Sequence, residues 1–136
     1  MKREATRQWV GPVFAAAVIV LATLPYDWQP HAHWARVAWL PFVTGLVRVR
    51  DMLVNTLLYM PFGAALQWRH DGHARWPALV AGALLSVSME LLQVWSHDRF
   101  PSATDVAMNI IGCGAGATTV WWWRSRRAVT NDTAPR

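Results

Sequence analysis

Four long apolar stretches within 136 residues constrain this chain more than any other feature. They cover residues 10–25, 52–68, 76–95 and 106–123. A helix needs roughly 20 apolar residues to cross a hydrocarbon core that is about 30 Å thick. Apolar residues make up 54% of the chain and charged residues only 15%, which leaves little sequence for a separate soluble domain. We therefore predict an all-α polytopic membrane protein with four transmembrane helices.

The domain organisation follows from these stretches. Residues 1–124 are predicted to form one transmembrane domain, and the polar residues 125–136 a disordered cytoplasmic tail. The loop between the first two stretches contains an apolar piece, residues 34–49, which is interrupted by Pro41 and Gly45. Because this piece is too short to span a membrane comfortably, we predict that it forms an interfacial helix or a re-entrant segment.

The ten tryptophans support the membrane assignment independently, because they cluster at the ends of the apolar stretches. Indole rings favour the headgroup level of a bilayer, where the apolar ring and the polar N–H are both accommodated. Trp9 and Trp28 bracket the first stretch, and Trp68 ends the second. Trp76 and Trp95 bracket the third stretch, and the last three tryptophans close the fourth.

The distribution of Lys and Arg predicts the orientation. Nine basic residues fall on the side of the termini: Lys2, Arg3, Arg7, Arg69, Arg75, Arg124, Arg126, Arg127 and Arg136. Four fall on the other side: Arg36, Arg48, Arg50 and Arg99. The positive-inside rule therefore places both termini in the cytoplasm. Since topology accounts for most of this charge, anionic lipid is a simpler partner for the basic tail than nucleic acid.

Polar side chains collect near the outer ends of three stretches and form the candidate site. Residues spaced by three or four lie on one face of a helix. Asp105 and Asn109 share a face with Gly112 and Gly116, and these glycines allow a neighbouring helix to approach closely, so this face is predicted to point toward the bundle interior. On the third stretch, Ser86 lies on the same face as Glu90 and Gln93, with His97 one turn beyond. The candidate ligand-binding residues are Asp51, Asn55, Glu90, Gln93, Arg99, Asp105 and Asn109.

Each of these residues also has a structural interpretation. Asp51 and Asp105 lie at predicted helix starts, where carboxylates cap free N–H groups, and Ser102 with Asp105 resembles a capping box. Asn55, Gln93 and Asn109 are also suited to interhelical hydrogen bonding, and Glu90 to a structural ion pair with Arg99. A functional role is favoured for Glu90, which lies inside an apolar run. Glu90, Asp105 and Asp51 are the candidate catalytic groups if the protein is an enzyme.

Two metal hypotheses arise from the sequence. All-oxygen ligation by the carboxylates and amides would suit Mg²⁺ or Ca²⁺. His31 and His33 are spaced for a metal, but no carboxylate or cysteine accompanies them, so a solvated loop is favoured there.

The ordered set of motifs resembles the VanZ-like family of small integral membrane proteins. It comprises Asp51-x-x-x-Asn55, Pro61-Phe-Gly63, Glu90-x-x-Gln93, Arg99, Asp105-x-x-x-Asn109 and Gly112. The resemblance implies a multi-span protein of the bacterial inner (cytoplasmic) membrane. The founding member of that family is associated with resistance to the glycopeptide antibiotic teicoplanin.

Three functions remain open from the sequence. The first is binding of a lipid headgroup or lipid-linked cell-envelope precursor in an outer-leaflet pocket, with Arg99 reading its anionic part. The second is a metal-dependent membrane hydrolase or transferase acting on a phosphate-linked lipid. The third is a structural or assembly role, in which the polar stripes specify helix packing.

Overall fold

A computed structural model of the protein describes residues 2–43, 48–69 and 75–132, with side chains described from residue 8 to residue 127 within these ranges. Four helices account for most of this part of the chain, and no strand occurs in it. The helices are α1 (Lys2–Thr23), α2 (Val49–Arg69), α3 (Trp76–Gln93) and α4 (Ala103–Asp132). The all-α prediction is confirmed, and each helix covers most or all of one predicted stretch.

The helices run alternately up and down. Gln93 at the end of α3 bonds to Thr23 at the end of α1, and Glu90 near that end bonds to Ser102 just before α4. α1 and α3 therefore end, and α2 and α4 begin, at one side of the bundle, which we call the loop end. Two connections cover it: the described residues 24–43 of the first, and residues 94–102 of the second.

The closest packing joins α2 and α4, which lie parallel. A Cβ atom at Gly112 would overlap the carbonyl oxygen of Thr56, and one at Gly116 would overlap that of Met60. Gly63 abuts the backbone of Cys113 in the same way. The prediction that the glycine stripe of α4 faces the bundle interior is confirmed. Backbones at this distance leave no space for a side chain, so glycine is required at these crossing points.

The core lies between these helices, and its buried residues are Ile19, Tyr59, Phe62, Leu66, Ala78, Cys113 and Ala117. Large apolar side chains also remain exposed on every helix, among them Val10, Phe14, Leu21, Leu53, Leu57, Leu84, Leu91 and Ile111. By length and composition, α3 alone among the described helices qualifies as a membrane span, and the apolar part of α1, Gln8–Thr23, is shorter. One described helix is thus long and apolar enough to cross a membrane, and the four-span topology stays a prediction.

Two sequence predictions are corrected by the backbone. Residues 34–43 contain a 3-10 turn at Trp34–Arg36 and no longer helix, because Pro41 removes a backbone donor and Phe42 takes a positive φ of 60°. The rest of that piece includes residues 44–47, which lie outside the described residues, and its interfacial or re-entrant location stays a prediction. The tail is helical to Asp132 rather than disordered from residue 125.

Stacking of arginines on tryptophans supplies the physical reason for the longer α4. The Arg126 guanidinium lies 4.1 Å from the Trp122 ring centroid, and that of Arg127 lies 3.6 Å from the Trp123 centroid. Both pairs are four residues apart, so they stabilise the helical conformation of the segment. The placement of arginines four residues after tryptophans therefore favours a helix where polarity alone suggested a coil.

Candidate functional site

The loop end is tied together by backbone hydrogen bonds between the two connections. Ala38 N–H donates to the Pro101 carbonyl at 2.9 Å, and Ala103 N–H donates to the Ala38 carbonyl at the same distance. Phe42 N–H donates to Thr104 Oγ1 at 2.9 Å. The first connection is thereby held across the start of α4, where it forms one wall of a cavity.

This loop-end cavity has a volume of about 320 Å³ and lies between the first turns of α2 and α4. One part of its lining is apolar: Ala38, Trp39, Leu40, Val43 and Met52. The other part is polar or charged: Arg48, Asp51, Ser102, Thr104 and Asp105. Its size is at the small end of ligand pockets, which run from about 300 to 1,000 Å³. An amphiphilic group of headgroup size is the kind of ligand that such a lining suits.

Two predicted acidic residues face this cavity from neighbouring helix starts. Asp51 lies in the first turn of α2 and Asp105 in the first turn of α4. Their carboxylates are close enough to interact electrostatically, and the side-chain amide of Asn55 lies close enough to stabilise the Asp105 carboxylate. The positive ends of the two helix dipoles offset part of the repulsion between the carboxylates. The structure thus brings Asp51, Asn55 and Asp105 together.

Glu90, on α3, lies near this group, but its carboxylate bonds to the backbone just before α4. Its Oε2 accepts a hydrogen bond from the Ser102 N–H at 2.8 Å, just before α4 begins. The Ser102 hydroxyl in turn accepts the Thr104 N–H at 3.2 Å. Ser102 therefore caps α4 without the predicted capping box, because its own N–H bonds to an acid of a neighbouring helix rather than to Asp105. Glu90 also interacts electrostatically with Asp105.

A second, smaller cavity of about 180 Å³ lies beside Glu90. Its lining is almost entirely apolar and includes Trp34, Val94 and Val106. Ala38, Trp39 and Ser102 line both cavities, so the bridge between Ala38 and Ser102 separates them. The loop end therefore has an apolar cavity next to a partly polar one, an arrangement that suits the apolar chain and the polar group of an amphiphilic ligand.

Asn109 lies deeper, in the buried interior. Its Nδ2 donates to Ser86 Oγ at 2.9 Å, while its Oδ1 is buried and has no hydrogen-bond partner among the described residues. The buried hydroxyl of Tyr59 interacts with the same serine without forming a hydrogen bond to any described residue. The interior location of Ser86 and Asn109 agrees with the predicted polar faces of α3 and α4. Their hydrogen bond joins these two helices, as the structural interpretation of Asn109 proposed.

The remaining two candidates lie away from the cavities' polar lining. Gln93 Nε2 donates to the Thr23 carbonyl at 3.0 Å, which ties α3 to α1. The exposed Arg99 donates to the Ala22 carbonyl at 3.2 Å. The cation in the loop-end cavity is instead Arg48, which sequence reasoning counted only toward the topology. Its position just before α2, three residues ahead of Asp51, is the signal that could have identified it.

Asp27 is a second loop-end residue whose role the sequence analysis missed. Its Oδ1 accepts the Ser96 hydroxyl at 2.6 Å, and its Oδ2 accepts the N–H groups of His97 and Asp98 at 2.6 and 3.0 Å. The Ser96 hydrogen bond, followed by the two backbone bonds, lowers the pKa of Asp27 below its usual value. Asp27 therefore holds the turn after α3 against the connection that follows α1.

Three histidines meet beside this turn. His31 and His33 come from the first connection and His97 from the second, and one ligand atom from each lies within 4.8 Å of the others. Burial, then the electrostatic interaction with His97, lowers the pKa of His33 below its usual value. Within the described residues Asp51, Glu90 and Asp105 do not form a comparable three-ligand group.

These features define an all-helical protein with an amphiphilic cavity at one end of its bundle. The VanZ/LLP1 family model matches residues 9–124, which is most of the chain. The chain belongs to this membrane-associated family, as the motif resemblance predicted. Comparisons with curated proteins and with solved structures gave no significant match.

Proposed function

We propose that this protein spans the membrane with all four helices and binds a phosphate-bearing lipid headgroup in the loop-end cavity, on the outer side. The cavity itself is the observation that carries the proposal. Arg48 supplies a guanidinium suited to a phosphate, and the carboxylates of Asp51 and Asp105 suit an amine or hydroxyl groups. Trp39, Leu40 and Val43 then line the path of the attached apolar chain.

Exposed side chains support the membrane part of the proposal. Soluble monomers rarely expose contiguous apolar surface larger than a few hundred Å², whereas a bilayer accommodates the exposed apolar residues found on all four helices. Aromatic residues flank them at both ends, as expected at the two interfaces. At the loop end these are Tyr26, Trp28, Trp34 and Trp39, and at the opposite end Trp9, Trp68, Trp76 and Trp122.

The direction of insertion follows from the arginines. At the end opposite to the loops, Arg69 stacks on Trp9 at 3.4 Å, and Arg75 lies 4.9 Å from the Trp121 ring centroid. These pairs place cations at the depth of the aromatic belt, where they meet anionic headgroups. Together with the excess of Lys and Arg at the termini, they favour a cytoplasmic location for that end and an outer location for the cavity.

Phosphatidylethanolamine and a lipid-linked envelope precursor share the required chemistry, namely a phosphate and polar hydrogen-bonding groups on an apolar anchor. Native mass spectrometry of the detergent-solubilised protein distinguishes them. The protein is incubated separately with phosphatidylethanolamine, phosphatidylglycerol and a polyprenyl phosphate, and the retained adducts are compared. We expect one retained lipid per chain, and its headgroup identifies the source.

Two variants localise this binding. Arg48→Gln should weaken retention about tenfold, because a hydrogen bond to a charged group contributes about 1.5–3 kcal/mol and 1.4 kcal/mol is a factor of ten. Asp51→Asn combined with Asp105→Asn should weaken retention of the amine-bearing lipid most. The exposed Asp98→Asn is the matched control. Equal retention by all variants would contradict the proposal, and release of the headgroup would instead identify a hydrolase or transferase.

A structural role is the second candidate, and specific contacts favour it. Glu90 caps Ser102, Gln93 bonds to α1, and Asn109 bonds to Ser86. These three side chains are satisfied by the protein itself in whole or in part. A structural role predicts that the Asp51 and Asp105 substitutions lower the melting temperature of the protein, and that any loss of lipid retention follows from this loss of stability.

A further inference from the structure

The histidine cluster at the loop end carries an inference that is independent of lipid binding. The ring centroids of His31 and His33 are 4.6 Å apart, and those of His33 and His97 are 4.5 Å apart. Those of His31 and His97 are 6.0 Å apart. Three imidazoles from two different connections thus surround one small volume, although His31 and His33 stand more than sixty residues from His97 in the sequence.

One buried ring nitrogen of this cluster lacks a hydrogen-bond partner in the described part of the chain. His33 Nε2 is buried from solvent and neither accepts nor donates a hydrogen bond there. Buried polar atoms are nearly always paired, so an unpaired imidazole nitrogen next to two other imidazoles indicates a place for a ligand. Imidazole nitrogen binds a proton donor or a metal ion, and three of them at one point are suited to a metal.

The backbone around the cluster is fixed before any metal arrives. His33 N–H donates to the Val94 carbonyl at 2.8 Å, so the first connection is bonded to the segment that leads to His97. The Asp27 carboxylate accepts the backbone N–H of His97 at 2.6 Å. Arg36 donates to the carbonyl of His97 at 3.2 Å. Three bonds therefore hold the two histidine-bearing segments in one register, which limits the ordering that a metal would have to impose.

The ligand atoms lie close to the spacing that a metal requires. Tetrahedral Zn²⁺ with Zn–N distances of about 2.0–2.1 Å requires nitrogens about 3.3 Å apart. The ligand atoms lie within 4.8 Å of one another, and the rings of His31 and His97 are exposed, whereas His33 is half-buried. Rotation about the side-chain bonds of the two exposed residues would therefore close most of the remaining distance.

We infer that His31, His33 and His97 form a binding site for a transition-metal ion, with Zn²⁺ the best fit. Imidazole ligands favour Zn²⁺, Ni²⁺ or Cu²⁺ over the oxygen-seeking Mg²⁺ and Ca²⁺. Three protein ligands leave the fourth position of a tetrahedral ion to water. Because the ligands come from both connections, the metal fastens the loop after α1 to the turn after α3.

The test uses the full chain purified without a polyhistidine tag, in detergent, after removal of metal with a chelator. Zn²⁺ is titrated against a chromophoric zinc indicator, with Mg²⁺ as the negative ion. We expect one Zn²⁺ per chain, no competition by Mg²⁺, and a rise in melting temperature with Zn²⁺ concentration. Binding of Co²⁺ in place of Zn²⁺ should give the visible absorption of a tetrahedral site.

Variants separate this site from the other histidines. His97→Gln and His31→Gln should each weaken Zn²⁺ binding by at least about 100-fold, since loss of supporting residues alone costs about 10–100-fold. Their melting temperatures without metal should equal that of the parent, because both side chains are exposed. The double variant His70→Gln, His73→Gln is the matched control and should bind normally. Zn²⁺ binding that survives in His97→Gln, or is lost in the control, would overturn the inference.

Discussion

Replacing Gly116 by alanine is expected to destabilise the protein by about 3 kcal/mol or more, the upper end of the cost of overpacking a well-packed interior. The added Cβ would overlap the Met60 carbonyl oxygen and lie 2.9 Å from the Ala64 nitrogen. Both atoms belong to the backbone of α2, so relief requires the whole helix to move. The free energy of unfolding, measured by denaturant titration in mixed micelles, checks this expectation.

Gly114 provides the matched control on the same helix. A Cβ atom there would lie 3.0 Å from Leu79 Cδ2, the flexible end of a side chain. Gly114→Ala should therefore change stability little, because the gain in helix propensity of about 1 kcal/mol offsets a small repacking cost. Equal effects of the two substitutions would contradict the close α2–α4 packing. Since Asp51 and Asp105 begin these helices, Gly116→Ala should also disrupt the loop-end cavity.

The second large effect concerns Glu90. Glu90→Ala is expected to destabilise the protein by about 1–3 kcal/mol, because it leaves the half-buried Ser102 N–H without its acceptor. Glu90→Gln keeps an acceptor oxygen on a side chain of the same length, so it should destabilise the protein clearly less. The same micelle unfolding measurement, applied to parent and both variants, checks the order.

The comparison of the two Glu90 variants also assigns a role to the charge. If glutamine restores stability but lowers lipid retention, the carboxylate charge contributes to ligand binding and the hydrogen bond to folding. If glutamine is as destabilising as alanine, the capping role of Glu90 at Ser102 is wrong. Ser88→Ala is a suitable control, because Ser88 lies on the same helix and its exposed hydroxyl bonds only to the Leu84 carbonyl.

The helices and the inward face of α4 could be predicted from the sequence because both are local patterns. Apolar stretches define helices whatever surrounds them, and the spacing of Asp105, Asn109, Gly112 and Gly116 fixes one face. Glycines on that face permit close approach, which the packing against Thr56 and Met60 confirms. The location of Ser86 and Gln93 in the interior follows from the same periodicity.

The connections could not be predicted, since long-range contacts determine them. Asp27 reads as an ordinary loop residue until the turn at Ser96 and His97 is placed beside it. His97 joins His31 only because α1 and α3 end on the same side of the bundle. The capping acid of Ser102 likewise comes from another helix rather than from the neighbouring sequence.

The loop between α1 and α2 shows a different limit. Apolar residues from Trp34 onward suggested an interfacial helix, whereas the described part crosses the bundle end in extended and turn conformations. Its polar backbone groups bond instead to Pro101, Ala103 and Thr104. Hydrophobicity indicated that this segment contacts membrane or protein, but hydrogen bonding to distant residues determined its conformation.

Cysteine labelling in spheroplasts tests most directly the proposed topology, in which four helices span the membrane and the loop end, with its cavity, faces the outside. In a Cys113→Ala background, which removes the buried native thiol, single cysteines are introduced as Asp98→Cys at the loop end and Arg126→Cys at the opposite end. Each protein is exposed to a membrane-impermeant maleimide before and after permeabilisation. We predict labelling of the first in intact spheroplasts and of the second only after permeabilisation; equal or reversed labelling would contradict the account.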